Sequence, residues 1–264
     1  MSRKTVSSFK RRQRARLLFK IVLTLLVFSA VFGFSSLSIE RAFKIEDISI
    51  SGASRVDENK LAEAVRILLD GKKAFFLSEA NPFFFDAEEL TDYLKKEFPA
   101  IEDISAERDF LEKRLILTLS ERKGWAVWCA KSCYYLDNQG VLFQPAPQFF
   151  GGLILKITDE RPQDFNQGGQ ILDGSFFASF KKFIEDAEKT GKTAIRNIKI
   201  TPNRSFWLES SAGWKIFIDE ETNLDKAVEN LGLFLDSEAF KNASGSVDYI
   251  DLRFPDKGFL KIGE

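Results

Sequence analysis

The chain has 264 residues, with 38 basic and 39 acidic side chains, two cysteines and no histidine. Without histidine, Ser-His-Asp and Cys-His triads, histidine-ligated metals and imidazole acid-base catalysis are excluded, and two cysteines fall short of the four ligands of a structural zinc site. Neither G-x-G-x-x-G nor G-x-x-x-x-G-K-[ST] occurs, so Gly151-Gly152 and Gly168-Gly169 read as loop punctuation.

The charge is unevenly placed. Residues 1–20 carry eight Lys or Arg and no acid, and the next nineteen, Ile21 to Ile39, are uncharged and apolar. Nineteen residues at a helical rise of ~1.5 Å make roughly 28 Å, about the hydrocarbon thickness of a bilayer. The basic tail 1–20 is therefore expected in the cytoplasm, 21–39 as a single span of the cytoplasmic (inner) membrane, and the bulk outside it. A cleaved signal peptide is the alternative, but the run exceeds a usual h-region and Ser36-Leu37-Ser38 is a poor exit. Beyond the tail, 30 basic side chains face all 39 acids, a net of −9, which offers no footprint for nucleic acid. About 225 residues follow the run, enough for two ordinary domains.

From Phe43 to Glu121 the pattern reads strand, helix, helix, strand, strand. Phe43, Ile45, Ile48 and Ile50 nearly alternate, with a slip at Glu46-Asp47 that suggests a bulge. Asp57 is an N-cap candidate for a helix with Leu61, Val65, Leu68 and Leu69 on one face, and Gly71 suits its exit. Asp86 and Glu89 resemble a capping box before Leu90, Tyr93, Leu94 and Phe98, and Pro99 ends that helix. Strands are expected over Ile101–Arg108 and Arg114–Glu121, the second with Leu115, Leu117 and Leu119 on its buried face. This first domain is α+β.

The second domain, 122–264, is richer in strands. They are expected at Trp125–Ala130, Cys133–Leu136, Val141–Phe143, Ile195–Ile200, Ser205–Ser210, Trp214–Asp219 and, last, Val247–Phe254. One helix runs over Ser175–Lys189 with Phe176, Phe180, Phe183, Ile184 and Ala187 inward. A second carries Leu224, Val228, Leu231 and Leu235 behind a Thr222/Asp225 capping pair. Two helices then pack on a mainly antiparallel sheet, and Pro145–Gly152, Pro162 and Gly168-Gly169 mark irregular connections.

Cys129 and Cys133 flank Ala130-Lys131-Ser132. On a hairpin with a three-residue loop they face each other within disulfide reach, and the external side of a membrane favours oxidation. A structural staple is expected, with free thiols or a redox pair as alternatives. Trp125, Trp128, Trp207 and Trp214 are expected to fill the core or cover the sheet rather than form a ligand platform. Phe83-Phe84-Phe85 precedes the second helix in a loop, tucked under the sheet, near the membrane or against a partner.

The ordered set of a basic tail, one span, FKIEDISISG at 43–52, FPAIEDISAER at 98–108, Glu121-Arg122, YYLDNQGVLF at 134–143 and YIDLRFP at 249–255 resembles the FtsQ/DivIB division proteins of bacteria. The resemblance covers essentially the whole chain and implies a POTRA domain at 43–121. It also implies a non-enzymatic scaffold of the divisome, without cofactor or small-molecule substrate, that links division proteins and binds the FtsB/FtsL coiled-coil pair outside the membrane. In that picture a partner strand adds to the last strand of the β domain. Carried onto this chain, the strand is Val247–Phe254 and the partner-binding residues are Ile250, Asp251, Leu252, Arg253, Phe254, Asp256, Gly258 and Phe259.

Asp251 and Arg253 read equally well as a local ion pair, Ile250 and Leu252 as core, and Pro255 as a terminator of pairing. Two further readings stay open. One is a POTRA-containing transport, assembly or chaperone factor, although no barrel pattern follows the POTRA-like segment. The other is a membrane-anchored wall-polymer enzyme using two carboxylates, for which no spacing among the acids selects a pair.

Overall fold

The computed structural model describes residues 20–29, 45–70, 86–148, 154–243, 245–255 and 257–263. Residues 20–29 form a helix, α1, in which Thr24 Oγ1 donates to the Lys20 carbonyl at 2.8 Å and so satisfies its hydroxyl locally. The apolar side chains of α1 are exposed, Phe28 at 70 %. Residues 30–39 of the expected span lie outside the described residues, and among the described residues no helix is long and apolar enough to cross a membrane. Gly71 and Phe83-Phe84-Phe85 also lie outside them.

The fold is α+β with two sheets. The first follows the expected order: β1 (Asp47–Ser51), α2 (Glu58–Asp70), α3 (Ala87–Glu97), β2 (Ile101–Asp109) and β3 (Arg114–Glu121), in a sheet ordered β1-β3-β2 with β1 parallel to β3. Both helices start where the sequence places a cap. Asp57 Oδ1 accepts from Asn59 N at 2.9 Å, and Asp86 Oδ1 from Glu88 N at 2.9 Å. Leu61, Val65, Leu90, Leu94, Leu115 and Leu117 are fully buried. At the entry to β1 the amides of Glu46 and Asp47 both reach the Lys113 carbonyl, at 2.8 and 3.4 Å, and from Asp47 onward β1 keeps an unbroken register with β3 in place of the expected bulge.

The second sheet has nine strands in the order β12-β11-β10-β9-β8-β7-β4-β5-β6. These are β4 (Ala126–Cys129), β5 (Cys133–Leu136), β6 (Leu142–Pro145), β7 (Leu155–Asp159), β8 (Ile195–Ile200), β9 (Ser205–Ser210), β10 (Lys215–Asp219), β11 (Val247–Phe254) and β12 (Lys257–Ile262). It is mixed: the pairs β4–β7, β7–β8 and β10–β11 are parallel and the others antiparallel. Helices α4 (Gly174–Gly191) and α5 (Leu224–Asp236) pack their apolar faces into its core, followed by the short α6 (Glu238–Asn242). Phe177, Phe180 and Phe183 meet Phe206, Leu208, Ile198 and Ile216 there, all under 3 % exposed.

Several elements differ from the sequence reading. Strand β7 sits inside a stretch expected to be irregular, because the Gly and Pro flanks conceal the alternation of Leu155 and Ile157 with Lys156 and Thr158. On α4 Phe177 is buried while Phe176 is only partly so: Phe177 lies three residues before Phe180 and seven before Ile184, at the centre of the same stripe, and Phe176 sits at its margin. On α5 Asn223 is the N-cap, accepting from Lys226 N. Thr222 Oγ1 donates instead to Asp219 at 2.8 Å, closing the preceding turn. Trp128 and Trp214 are buried, Trp125 packs on the core, and Trp207 lies half-buried on the opposite face.

The chain divides into two compact units, one of residues 1–53, 57–92 and 104–119 and the other of 54–56, 93–103 and 120–264. Within the second, Glu121 gathers a passing segment: its Oε1 accepts the amides of Ser54, Arg55 and Val56 at 2.7, 2.7 and 2.8 Å, and its Oε2 the Ser54 hydroxyl at 2.9 Å. Burial pushes against ionisation of this side chain, but the Val56, Ser54 and Arg55 amides and the Ser54 hydroxyl outweigh it and hold the carboxyl at about 2. The next residue works on the same unit. Arg122 donates to the Pro99 carbonyl at 3.1 Å and pairs with the buried Asp137, whose Oδ1 accepts Gln139 N and Val141 N in the β5–β6 turn.

Cys129 and Cys133 are joined in a disulfide, directly opposite each other across β4 and β5 with Cα atoms 4.1 Å apart. Closing so short a loop removes little chain entropy, so Cys129→Ala with Cys133→Ala is expected to lower stability by no more than about 2 kcal/mol in urea unfolding.

The lowered Glu121 pKa makes a pH-dependent contribution. It is complete above the ordinary carboxyl value near 4.5 and is lost as pH falls toward 2. Glu121→Gln should cost about 2 kcal/mol at pH 7, and its difference from the parent chain should shrink through that window. Parallel urea titrations at pH 7 and pH 2.5 check this; a difference independent of pH would contradict the assignment.

Candidate functional site

The C-terminal end of the large sheet is where the resemblance places partner-binding residues, and the geometry there differs from the sequence reading. Val247–Phe254 is neither the last strand nor an edge. Strand β11 pairs with β10 in parallel through Lys215↔Tyr249, Ile216↔Ile250 and Phe217↔Asp251, and with β12 antiparallel through Ile250↔Leu260 and Asp251↔Phe259. The edge is β12, in a segment the sequence presents as a short extension. Pro255 ends β11, and the chain reverses to lay β12 alongside it.

The named residues divide by this register. Ile250 and Leu252 point into the core at 0 and 1 % exposure, and Asp251 is buried on the opposite face. Arg253 forks onto Asp251, Nε to Oδ1 at 3.0 Å and Nη2 to Oδ2 at 2.7 Å, while its own amide donates to Oδ1 at 3.2 Å. That side-chain bond to Asp251 raises the Arg253 pKa; partial burial acts the other way, and the charges of Asp251 and Asp219 add to the rise. The local ion pair is thus formed.

The guanidinium also lies 3.9 Å over the ring of Phe217, which stacks on Trp207 at 4.2 Å; Tyr249 meets Trp207 edge-on at 5.3 Å. Phe254 and Phe259, 44 and 54 % exposed, form a T-shaped pair at 5.5 Å. Asp256 lies outside the described residues.

Gly258 sets how β12 docks. A Cβ built there would meet the Phe234 ring of α5 at 2.0 Å, so any larger residue would have to displace that ring or the strand. Leu260 packs on the core from the same strand, and Lys257 and Lys261 stand exposed. The result is a six-residue edge with one strand neighbour among the described residues, an aromatic pair on one face and a helix against the other.

Sequence reasoning missed a second feature with the same geometry. Asp159-Glu160-Arg161, at the end of β7, repeats the D-x-R spacing of 251–253, and Arg161 Nε and Nη2 reach Asp159 at 2.9 and 2.6 Å. Here the pair is buried and further tied: Asp159 also accepts from Trp128 Nε1 at 3.0 Å, and Arg161 donates to the Ile171 carbonyl at 2.9 Å. The repeated spacing was the available signal. Its bonds to Trp128 and Ile171 make it a structural tie at the end of a strand.

No protein-family model matches the chain, and no curated protein sequence matches it.

Gly258→Ala is expected to displace β12 from α5. Overpacking of this kind typically costs 1 to 3 kcal/mol, so the β12 amides should exchange about ten times faster or more, while β8 and β9 keep their protection. Hydrogen exchange followed by mass spectrometry checks it.

Proposed function

We propose that the chain is a non-enzymatic, single-pass membrane protein that captures other polypeptides by strand addition on the external side of the cytoplasmic membrane. Within that class it reads as a member of the FtsQ/DivIB division family. It would be a divisome scaffold that links division proteins and binds an FtsB/FtsL-like coiled-coil pair during septum formation, with 43–121 as its POTRA domain. The anchor is the apolar run 21–39 behind the basic tail.

The observation that carries this reading is the edge strand β12. It is six residues long and among the described residues has β11 as its only strand partner, so a row of backbone donors and acceptors faces outward, and the exposed Phe254–Phe259 pair lies beside it. Main-chain pairing supplies affinity in such an edge, and alternate side chains supply selectivity. The opposite end of the sheet suits this less: β6 has four residues and finishes in Pro145, which has no amide to donate.

Phe259→Asp alters an exposed ring on the edge without touching the core. In the full chain, purified in mild detergent, it should weaken capture of an FtsB/FtsL-type coiled-coil pair at least tenfold and leave the circular dichroism spectrum unchanged. Undiminished capture would remove β12 as the binding edge. Co-purification that returns unrelated extended polypeptides in place of division proteins would favour a general chaperone role.

A further inference from the structure

The tip of the β2–β3 hairpin carries the most exposed large apolar side chain among the described residues. Leu111 is 96 % exposed and its neighbour Phe110 46 %. The turn holds this display in place. Asp109 Oδ1 accepts the amides of Leu111 and Glu112, both at 3.0 Å, and Lys113 takes the left-handed conformation with φ of 52° before β3 begins. Its polar groups are engaged locally: Glu112 pairs with Arg114 at 3.0 Å, Arg114 with Asp47 at 3.1 Å and Lys113 with Glu46 at 2.8 Å.

Those last two pairs place the tip. Glu46 also donates its amide to the Lys113 carbonyl at 2.8 Å, so the point at which the chain enters β1 lies against the hairpin turn. Only six residues, 40–45, lie between Ile39, the end of the apolar run, and Glu46, a distance of seven residue steps. Fully extended, these steps span at most about 24 Å, at ~3.4 Å per step. The end of the sheet that carries Leu111 is therefore the end tied closest to the run.

We infer that the Phe110–Leu111 tip inserts into the interfacial layer of the membrane that holds the 21–39 anchor, giving this unit a second, apolar contact with the lipid surface. The inference rests on the anchor in the proposed function. Its occupant is the acyl-headgroup boundary of a bilayer, because an exposed Phe-Leu pair on a narrow turn, on the end of the sheet tied closest to the anchor, matches a shallow lipid contact. The neighbouring acids outnumber the bases, with Glu46, Asp47, Asp109 and Glu112 against Lys113 and Arg114. Attraction to anionic headgroups is thus not the driving force, and neutral lipid suffices.

The chain provides a clean test, since its two cysteines are joined to each other and an introduced thiol is the single labelling site. Leu111→Cys and, separately, Phe28→Cys in α1 would be labelled with a nitroxide in the full chain and reconstituted in phosphatidylcholine vesicles. Both side chains are exposed, so neither change removes packing. Spin-relaxation measurements then compare collisions with oxygen, concentrated in lipid, and with a nickel chelate confined to water. Oxygen collisions dominating at both sites support the inference. Lipid at Phe28 with free chelate access at Leu111 overturns the tip contact and leaves the anchor standing. Free chelate access at both overturns the inference together with the anchor.

Discussion

Among the described residues of the second unit, helices α4 and α5 cover one face of the large sheet, and the rest of the unit follows from that. Burying Phe177, Phe180 and Phe183 of α4 and Ala227 and Leu231 of α5 against alternate residues of β8, β9, β10 and β11 fixes which side of every strand points inward. The other side must then be managed without a second helical layer. The chain does so with paired groups: Trp207 on Phe217, Arg253 over Phe217 and onto Asp251, and Lys199 with Glu160 at 2.8 Å. Such a face tolerates water and needs no cover.

A sheet that does not close also has two ends, and they are treated differently. One finishes in the short β6 with its proline, the other in β12, seated on α5 through Gly258. Lys257 and Lys261 on β12 are the charges commonly placed on an edge to discourage indiscriminate pairing, while the neighbouring Phe254 and Phe259 reward a partner with matching apolar side chains. Selectivity on this edge comes from combining the two.

Much of the fold was legible. The caps at Asp57 and Asp86, the leucine alternation of β3 and the hairpin around Cys129 and Cys133 are local features, and each is found where its chemistry puts it. Three elements were not. Strand β7 was concealed by glycine and proline flanks, α6 is only five residues long, and β12 has exposed side chains at four of its six positions, so its hydrophobic pattern is weak. The candidate site suffered most, because an edge is defined by what does not pair with it. No residue encodes that locally.

The sequence by itself determined the α+β class, the order of the first domain's elements, the uncharged run behind a basic tail and the absence of histidine chemistry. These depend on residue type and short-range periodicity. The tertiary structure alone decided that β11 is interior and β12 is the edge, that Asp251 holds Arg253, and that Glu121 draws three distant backbone amides onto one carboxylate. Strand order in a sheet is a long-range choice among surfaces of similar apolarity, settled by which packing buries the aromatic core while pairing the buried charges such as Asp251 and Asp159.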